Sequence, residues 1–234
     1  VRWQHPERGL LGPFEFIPHA ESTGLIIPMG YWITQQACQF QQMISTEYSN
    51  NFFTSINLSG KQFIDLDMVS TMTDIVEQHA SSASCIKFEI TESLLMENPD
   101  LTNHYLEELK ECGVQLAIDD FGTGYSSLSY LHRFPLDTLK IDRSFVSTML
   151  QNKKSNEIVK SLIDLSHNLG MNVVAEGIET EFEDQMIKKY QAEYGQGFLY
   201  AKPLNTEAFR TLLESNINLT DIGLTEPAQK SAIQ

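Results

Sequence analysis

The sequence predicts an α/β fold, a (β/α)8 TIM-like barrel that is N-terminally truncated, on three observations. Short apolar runs alternate with longer amphipathic ones, the spacing between successive runs is close to the roughly 30 residues of a barrel unit, and no glycine-rich GxGxxG or GxxxxGK[ST] loop follows the first run, as a nucleotide-binding doubly wound sheet would require. The chain of 234 residues is 41% hydrophobic and 20% charged, enough apolar material for one sizeable core. One domain over residues 1–214 and a tail over 215–234, which has weak periodicity and several turn formers, are therefore expected.

Six runs read as strands: FFTSIN (52–57), CIKFEI (85–90), VQLAID (114–119), DTLKID (137–142), NVVAEG (172–177) and GQGFLY (195–200). Helices fill the intervals. Met68, Val69, Met72, Ile75 and Val76 share the spacing of one buried helical face, as do Tyr105, Leu106 and Leu109, and Ile158, Val159, Leu162, Ile163 and Leu169. A helix beginning near Pro28 is expected to carry Trp32, Ile33, Phe40 and Met43 inward, and Phe209, Leu212 and Leu213 mark the last one. Gly113 and Gly170 stand where helices would end, and Thr180 with Glu183 has the spacing of a capping box. Six units are visible where closure needs eight, so the chain is expected to begin partway round the barrel.

Composition narrows the function. A formal net charge of −15 argues against a surface that binds duplex nucleic acid through its phosphates. A phosphorylated small molecule is compatible, provided that a metal, a helix N-terminus or a few placed Lys and Arg residues supply positive charge. Cys38, Cys85 and Cys112 are odd in number, widely spaced and in no CxxC pair, which indicates neither a disulfide framework nor a zinc site. The six histidines show no metal-ligand spacing and read as surface or helix residues. With no long apolar span and no signal-peptide pattern at VRWQHPERG, a cytoplasmic location is expected.

Side-chain phase gives the sharpest information, because alternate residues of a strand face opposite ways. Leu116 and Ile118 share one face and Asp119 the other; Ile86, Phe88 and Ile90 oppose Lys87 and Glu89; Leu139 and Ile141 oppose Thr138, Lys140 and Asp142; Ile56 opposes Asn57. With the apolar faces against the helices, Asn57, Glu89, Asp119, Lys140 and Glu176 point to a shared interior near the C-terminal strand ends, the rim where barrel enzymes carry their active sites. Asp119 and Asp120 repel each other unless a cation or a proton intervenes. The oxygen-rich set, with no thiolate or imidazole, suits Mg²⁺ or Mn²⁺ better than Zn²⁺, and two carboxylates able to reach two positions suggest two ions. Lys140 would then orient an attacking water or offset charge on a phosphate. The plainer alternatives are a turn-capping Asp pair and a structural lysine paired with Asp142 or Glu176.

NLSGKQF, EITES, DDFGTGYSSL, LKID, AEGIE and QGF, in that order, together with RWQHPERG and PFEFIPHAESTGLI, resemble the successive motifs of the EAL family of cyclic di-GMP phosphodiesterases over Val1 to about Glu214. The resemblance implies a barrel of the EAL type, two Mg²⁺ or Mn²⁺ ions, and hydrolysis of cyclic di-GMP to linear pGpG. It gives metal-ligand roles to Asn57, Glu89, Asp119, Asp120 and Glu176, and a water-holding role to Lys140. It places Gln196 near substrate, Arg2 on substrate phosphate, and Glu92 as organiser of the DFGTGYSS loop. That loop couples the metal site to dimerisation in the family, which makes a homodimer plausible, and upstream sensory or diguanylate cyclase domains and a membrane tether are frequent attachments. The Glu-Ala-Leu signature itself would lie upstream of Val1 with two strands, so weak or absent activity is expected of these 234 residues alone. A catalytically inactive relative serving as a cyclic di-GMP receptor or protein-interaction module is the alternative. Such relatives usually carry replacements in DDF, in LKID or at the AEG glutamate, and this chain has none of them. Tyr190-Gln191-Ala192-Glu193 departs from the family's frequent Leu-Gly-Cys-Asp, with consequences for local packing only.

Overall fold

The structure, a computed structural model, describes residues 1–48, 52–122 and 131–215. These residues form two compact units, one built on Val1–Ala117, the other beginning at Ile118 and continuing from Asp137.

In the first unit, an antiparallel hairpin, β1 (Trp3–His5) and β2 (Gly9–Leu11), precedes helices α1 (Pro13–Thr23) and α2 (Ile26–Tyr48). The parallel strands follow: β3 (Thr54–Asn57), helix α3 (Met68–His79), β4 (Ile86–Thr91), helices α4 (Glu92–Glu97) and α5 (Pro99–Glu111), then the start of β5 (Gln115–Phe121). β3 and β4 pair in parallel with Ile56 opposite Phe88 and Asn57 opposite Glu89. In the second unit the strand order is β5, β6 (Thr138–Ile141), β7 (Asn172–Glu176), β8 (Tyr194–Gln196). Helices α6 (Arg143–Val146) and α7 (Lys153–Asn168) lie between β6 and β7, α8 (Glu181–Lys189) lies between β7 and β8, and α9 (Thr206–Glu214) comes last. Strand, helix, parallel strand is thus the repeating unit, as the alternating pattern predicts.

All six predicted strands are present, because apolar residues on one face bury fully: Ile86, Phe88 and Ile90 on β4, Leu116 and Ile118 on β5, and Leu139 and Ile141 on β6 are at most 1% exposed. The last is shorter than expected, since the chain leaves the strand at Gln196 and turns through Gly197, whose backbone packs so tightly on that of Ile178 that no Cβ would fit. The hairpin β1–β2 is not among the predicted elements; strands of three residues carry too little periodicity to be read.

Helix boundaries follow the predicted signals. Gly113 and Gly170 take left-handed conformations, φ 90° and 75°, just past α5 and α7. Thr180 Oγ1 accepts from the Glu183 amide at 3.3 Å and Glu183 Oε2 accepts from the Thr180 amide at 2.9 Å, completing the capping box of α8. Met68, Met72 and Val76 form the buried face of α3, with Val69 and Ile75 at its half-buried edges.

One inward assignment is overturned and a second holds only in part. On α2 the buried row is Ile26, Gly30, Thr34, Cys38, Gln41 and Ile44, which leaves Trp32 55% exposed and Ile33, Phe40 and Met43 half-buried. The buried row carries small and polar residues, so hydrophobicity alone gives the wrong phase. On α7 the buried positions are Ser155, Val159, Ile163 and Ser166, while Ile158 and Leu169 flank the stripe in solvent. All three cysteines are free thiols; burial pushes the Cys38 thiol up to about 11. Among the described residues no helix is long and apolar enough to cross a membrane.

Candidate active site

The second unit gathers acidic side chains at the C-terminal ends of its strands. Asp119 and Asp120 close β5, Lys140 is the third residue of β6, and Glu176 ends β7. Alternation turns Lys140 away from the apolar faces of Leu139 and Ile141, and its ammonium lands between two carboxylates. Nζ lies 2.9 Å from Asp119 Oδ1 and 2.7 Å from Glu176 Oε1. The lysine side chain is only 4% exposed, and those of Asp119 and Glu176 are 13% and 17% exposed. Such enclosure weakens solvent screening, so the three charges are held by one another. Of the two structural partners the sequence offers Lys140, Glu176 is realised; Asp142 instead caps α6, accepting from the Ser144 amide at 3.0 Å.

Asp120 differs from its neighbour. It is exposed and its backbone sits at φ 55°, a left-handed conformation rare outside glycine, asparagine and aspartate. Its amide donates to Asp119 Oδ1 at 3.0 Å. The backbone here therefore holds the Asp119 carboxylate and sets Asp120 beside it. Asp119, Asp120 and Glu176 each offer an oxygen, and the three lie within 4.8 Å of one another, close enough to share a cation. Three hard oxygen donors around an enclosed point that already attracts an ammonium fit a divalent cation of the Mg²⁺ or Mn²⁺ type.

Gln196 is the register partner of Glu176 on the neighbouring strand, exposed at the same strand-end level, and its carbonyl accepts from the Ile178 amide at 3.0 Å. In the first unit, Asn57 at the end of β3 is the register partner of Glu89, the fourth residue of β4, the former exposed, the latter 5% exposed. Glu92 opens α4 three residues later and is 3% exposed. Of the loop assigned to it, residues 123–130 lie outside the described residues. Arg2 is exposed in the same unit, and its guanidinium donates to the Val1 carbonyl at 2.7 Å.

Two residues beside the cluster are not among those singled out in the sequence. Arg143, three residues past Lys140, pairs with Glu179, three residues past Glu176, at 2.6 Å. Its aliphatic stem lies across Gly177, where φ is 70° and any Cβ would overlap the Arg143 side chain. In the sequence they stand directly after LKID and at the end of AEGIE, but nothing in the letters shows that they meet.

The class defined by these features is an α/β protein whose parallel strands end in an acidic cluster spaced to hold a cation. The sequence model described as "EAL domain" matches residues 1–203, and the chain belongs to the EAL domain family. A cyclic di-GMP phosphodiesterase of Pseudomonas aeruginosa, NbdA, is 38% identical over 215 residues, covering 92% of this chain and 28% of that protein. Among solved structures, a PaMucR phosphodiesterase in complex with c-di-GMP superimposes with a TM-score of 0.85 at 36% identity, covering 89% of this chain and 84% of that one. Klebsiella pneumoniae BlrP1, in a manganese and cyclic di-GMP complex, superimposes with a TM-score of 0.66 at 29% identity, over 75% of this chain and 45% of that one. These likenesses establish the α/β, (β/α) barrel-like architecture of the EAL type. The chain spans 26% to 37% of the length of the curated relatives it matches first.

Proposed function

We propose that this chain is part of the catalytic domain of a cyclic di-GMP phosphodiesterase, which in its full length yields linear pGpG and uses two divalent cations, Mg²⁺ or Mn²⁺. The carrying observation is the Lys140 ammonium held between Asp119 and Glu176 beside Asp120. Membership of the EAL domain family and similarity to proteins named as phosphodiesterases for this dinucleotide support the substrate.

In this reading Asn57, Glu89, Asp119, Asp120 and Glu176 hold the cations, which supply Lewis-acid polarisation of the phosphoryl oxygens and a more acidic water. Lys140 is a cation of fixed position, enclosed and anchored at two points, so it can hold the attacking water and oppose charge growing on phosphate with little reorganisation. Arg2 provides a guanidinium for a substrate phosphate, and the exposed amide of Gln196 supplies both a donor and an acceptor for substrate beside Glu176. Glu92 fixes the loop that follows Asp120.

Incubation of the full-length protein with cyclic di-GMP and Mn²⁺, followed by chromatography of the products, tests the proposal. Stoichiometric pGpG, lost on chelation and restored by Mn²⁺, is the expected outcome. Binding of the dinucleotide with no turnover in either metal would favour the receptor role and overturn the catalytic one.

A further inference from the structure

Asn57 is exposed at the end of β3, so packing does not hold its side chain and its direction depends on the backbone that follows. Two residues on, that backbone is held at Ser59. The Ser59 amide donates to Gln62 Oε1 at 3.0 Å, and its carbonyl accepts from the Gln62 amide at 2.9 Å. Its hydroxyl accepts from the Lys61 amide at 3.3 Å and donates to Glu21 Oε1 at 2.7 Å. Between the two, Leu58 is buried, and its amide donates to the Glu89 carbonyl at 2.9 Å. Gln62 cannot swing away, since it is 1% exposed and its amide lies against Gly30 of α2, where any Cβ would overlap it.

Most of these bonds are local to the turn. The bond from Glu21 is not: it reaches Ser59 from α1, 38 residues earlier in the chain. A carboxylate accepting from a hydroxyl makes a short, charge-assisted bond of well-defined direction. We propose that Glu21 is a positioning residue which, through Ser59, fixes the turn that aims Asn57, and so makes α1 part of the cation site's support. The proposal rests on the reading of Asn57 as a cation ligand. Groups that orient ligands set metal affinity without touching the metal, and Glu21 acts one step further out, through Ser59 and the backbone of the turn.

The test uses the full-length protein as wild type, Glu21→Ala, Glu21→Gln, Ser59→Ala and the double variant Glu21→Ala/Ser59→Ala. Mn²⁺ affinity is measured by calorimetry without substrate, with melting temperature and steady-state kinetics alongside. Glu21→Ala and Ser59→Ala should each weaken Mn²⁺ binding about 10-fold, the lower end of the range for groups that orient ligands. The double variant should be no weaker than Ser59→Ala, because both changes remove one bond. Glu21→Gln keeps an oxygen acceptor and should recover most of the affinity. In the weakened variants kcat should fall with KM for the dinucleotide unchanged. Losses that add in the double variant, or a lowered melting temperature with Mn²⁺ affinity intact in Glu21→Ala, would overturn the positioning role alone. No Mn²⁺ uptake by the wild type would overturn it together with the metal-site reading.

Discussion

Two residues other than glycine adopt left-handed backbone among the described residues, and they do so for different reasons. Asp120, φ 55°, is the penultimate residue of β5 beside the buried Lys140 cluster; Gln191, φ 66°, follows α8. At Gln191 the conformation closes a helix. Its amide donates to the Lys188 carbonyl at 3.0 Å and the Ala192 amide donates to the Ile187 carbonyl at 3.3 Å, the Schellman arrangement. Gly170 does the same service at the end of α7, with Met171 donating to Ser166 at 2.9 Å. At Asp120 no helix ends. The strained turn puts a second carboxylate beside the first, and the amide of one is used to hold the other. Like charges kept close in a strained backbone are destabilising in isolation, so the arrangement points to a bound cation, whereas the strain at Gln191 points to nothing beyond a turn.

The largest effect expected is at the charge that holds the cluster. Lys140→Met preserves the buried stem and deletes the ammonium, leaving Asp119 and Glu176 facing each other with little water. Breaking a buried pair by removing one partner costs about 3–5 kcal/mol, and denaturant titration of the metal-free protein should show a loss of that order. Added Mn²⁺ should return part of that stability, since a divalent cation offsets the same two carboxylates, while hydrolysis stays down by on the order of 10³-fold. A variant as stable as wild type without metal would mean that Lys140 is not what balances the acids.

Asp120→Gly separates strain from charge. Glycine takes φ 55° without penalty, so the variant should be at least as stable as wild type without metal. Removal of one candidate ligand should lower turnover about 10²-fold and weaken Mn²⁺ binding. If Asp120→Gly hydrolyses cyclic di-GMP at the wild-type rate, Asp120 belongs with Gln191 as a turn residue only.

Gly177→Ala tests the neighbouring contact. A methyl group there meets the stem of Arg143 in a backbone unsuited to alanine, and overpacking of this kind costs about 1–3 kcal/mol. Turnover should fall with stability, because Glu176 is the adjacent residue. The same substitution at Gly170, equally left-handed but with open space around it, should cost less.

Much of this was legible beforehand. Strand phase placed Asp119 and Lys140 opposite the apolar faces of Ile118 and Leu139 because a two-residue period admits only two outcomes. Helix phase on α2 was harder: a 3.6-residue period admits many faces, and Thr34, Cys38 and Gln41 conceal the buried one while Trp32 advertises the wrong one. The strain at Asp120 and the reach of Arg143 across Gly177 are matters of backbone geometry, which a run of letters does not encode. The link from Glu21 to Ser59 is absent from the sequence for a simpler reason, being a contact between segments far apart in the chain.

Gln191→Gly is the smallest change and the cleanest contrast. The C′ position of a Schellman motif favours glycine because a Cβ is unfavourable at positive φ, here 66°. The substitution removes that penalty but enlarges the freedom of the unfolded chain, so the net gain is expected to be about 0.5–1 kcal/mol. Chemical denaturation should register it as a raised midpoint at unchanged slope. Asp119, Asp120, Lys140 and Glu176 all lie outside α8 and its exit, so Mn²⁺ affinity and turnover should match wild type. A gain in stability here accompanied by a change in turnover would show that the helix end and the strand ends are coupled, and the distinction between the two left-handed residues would fall.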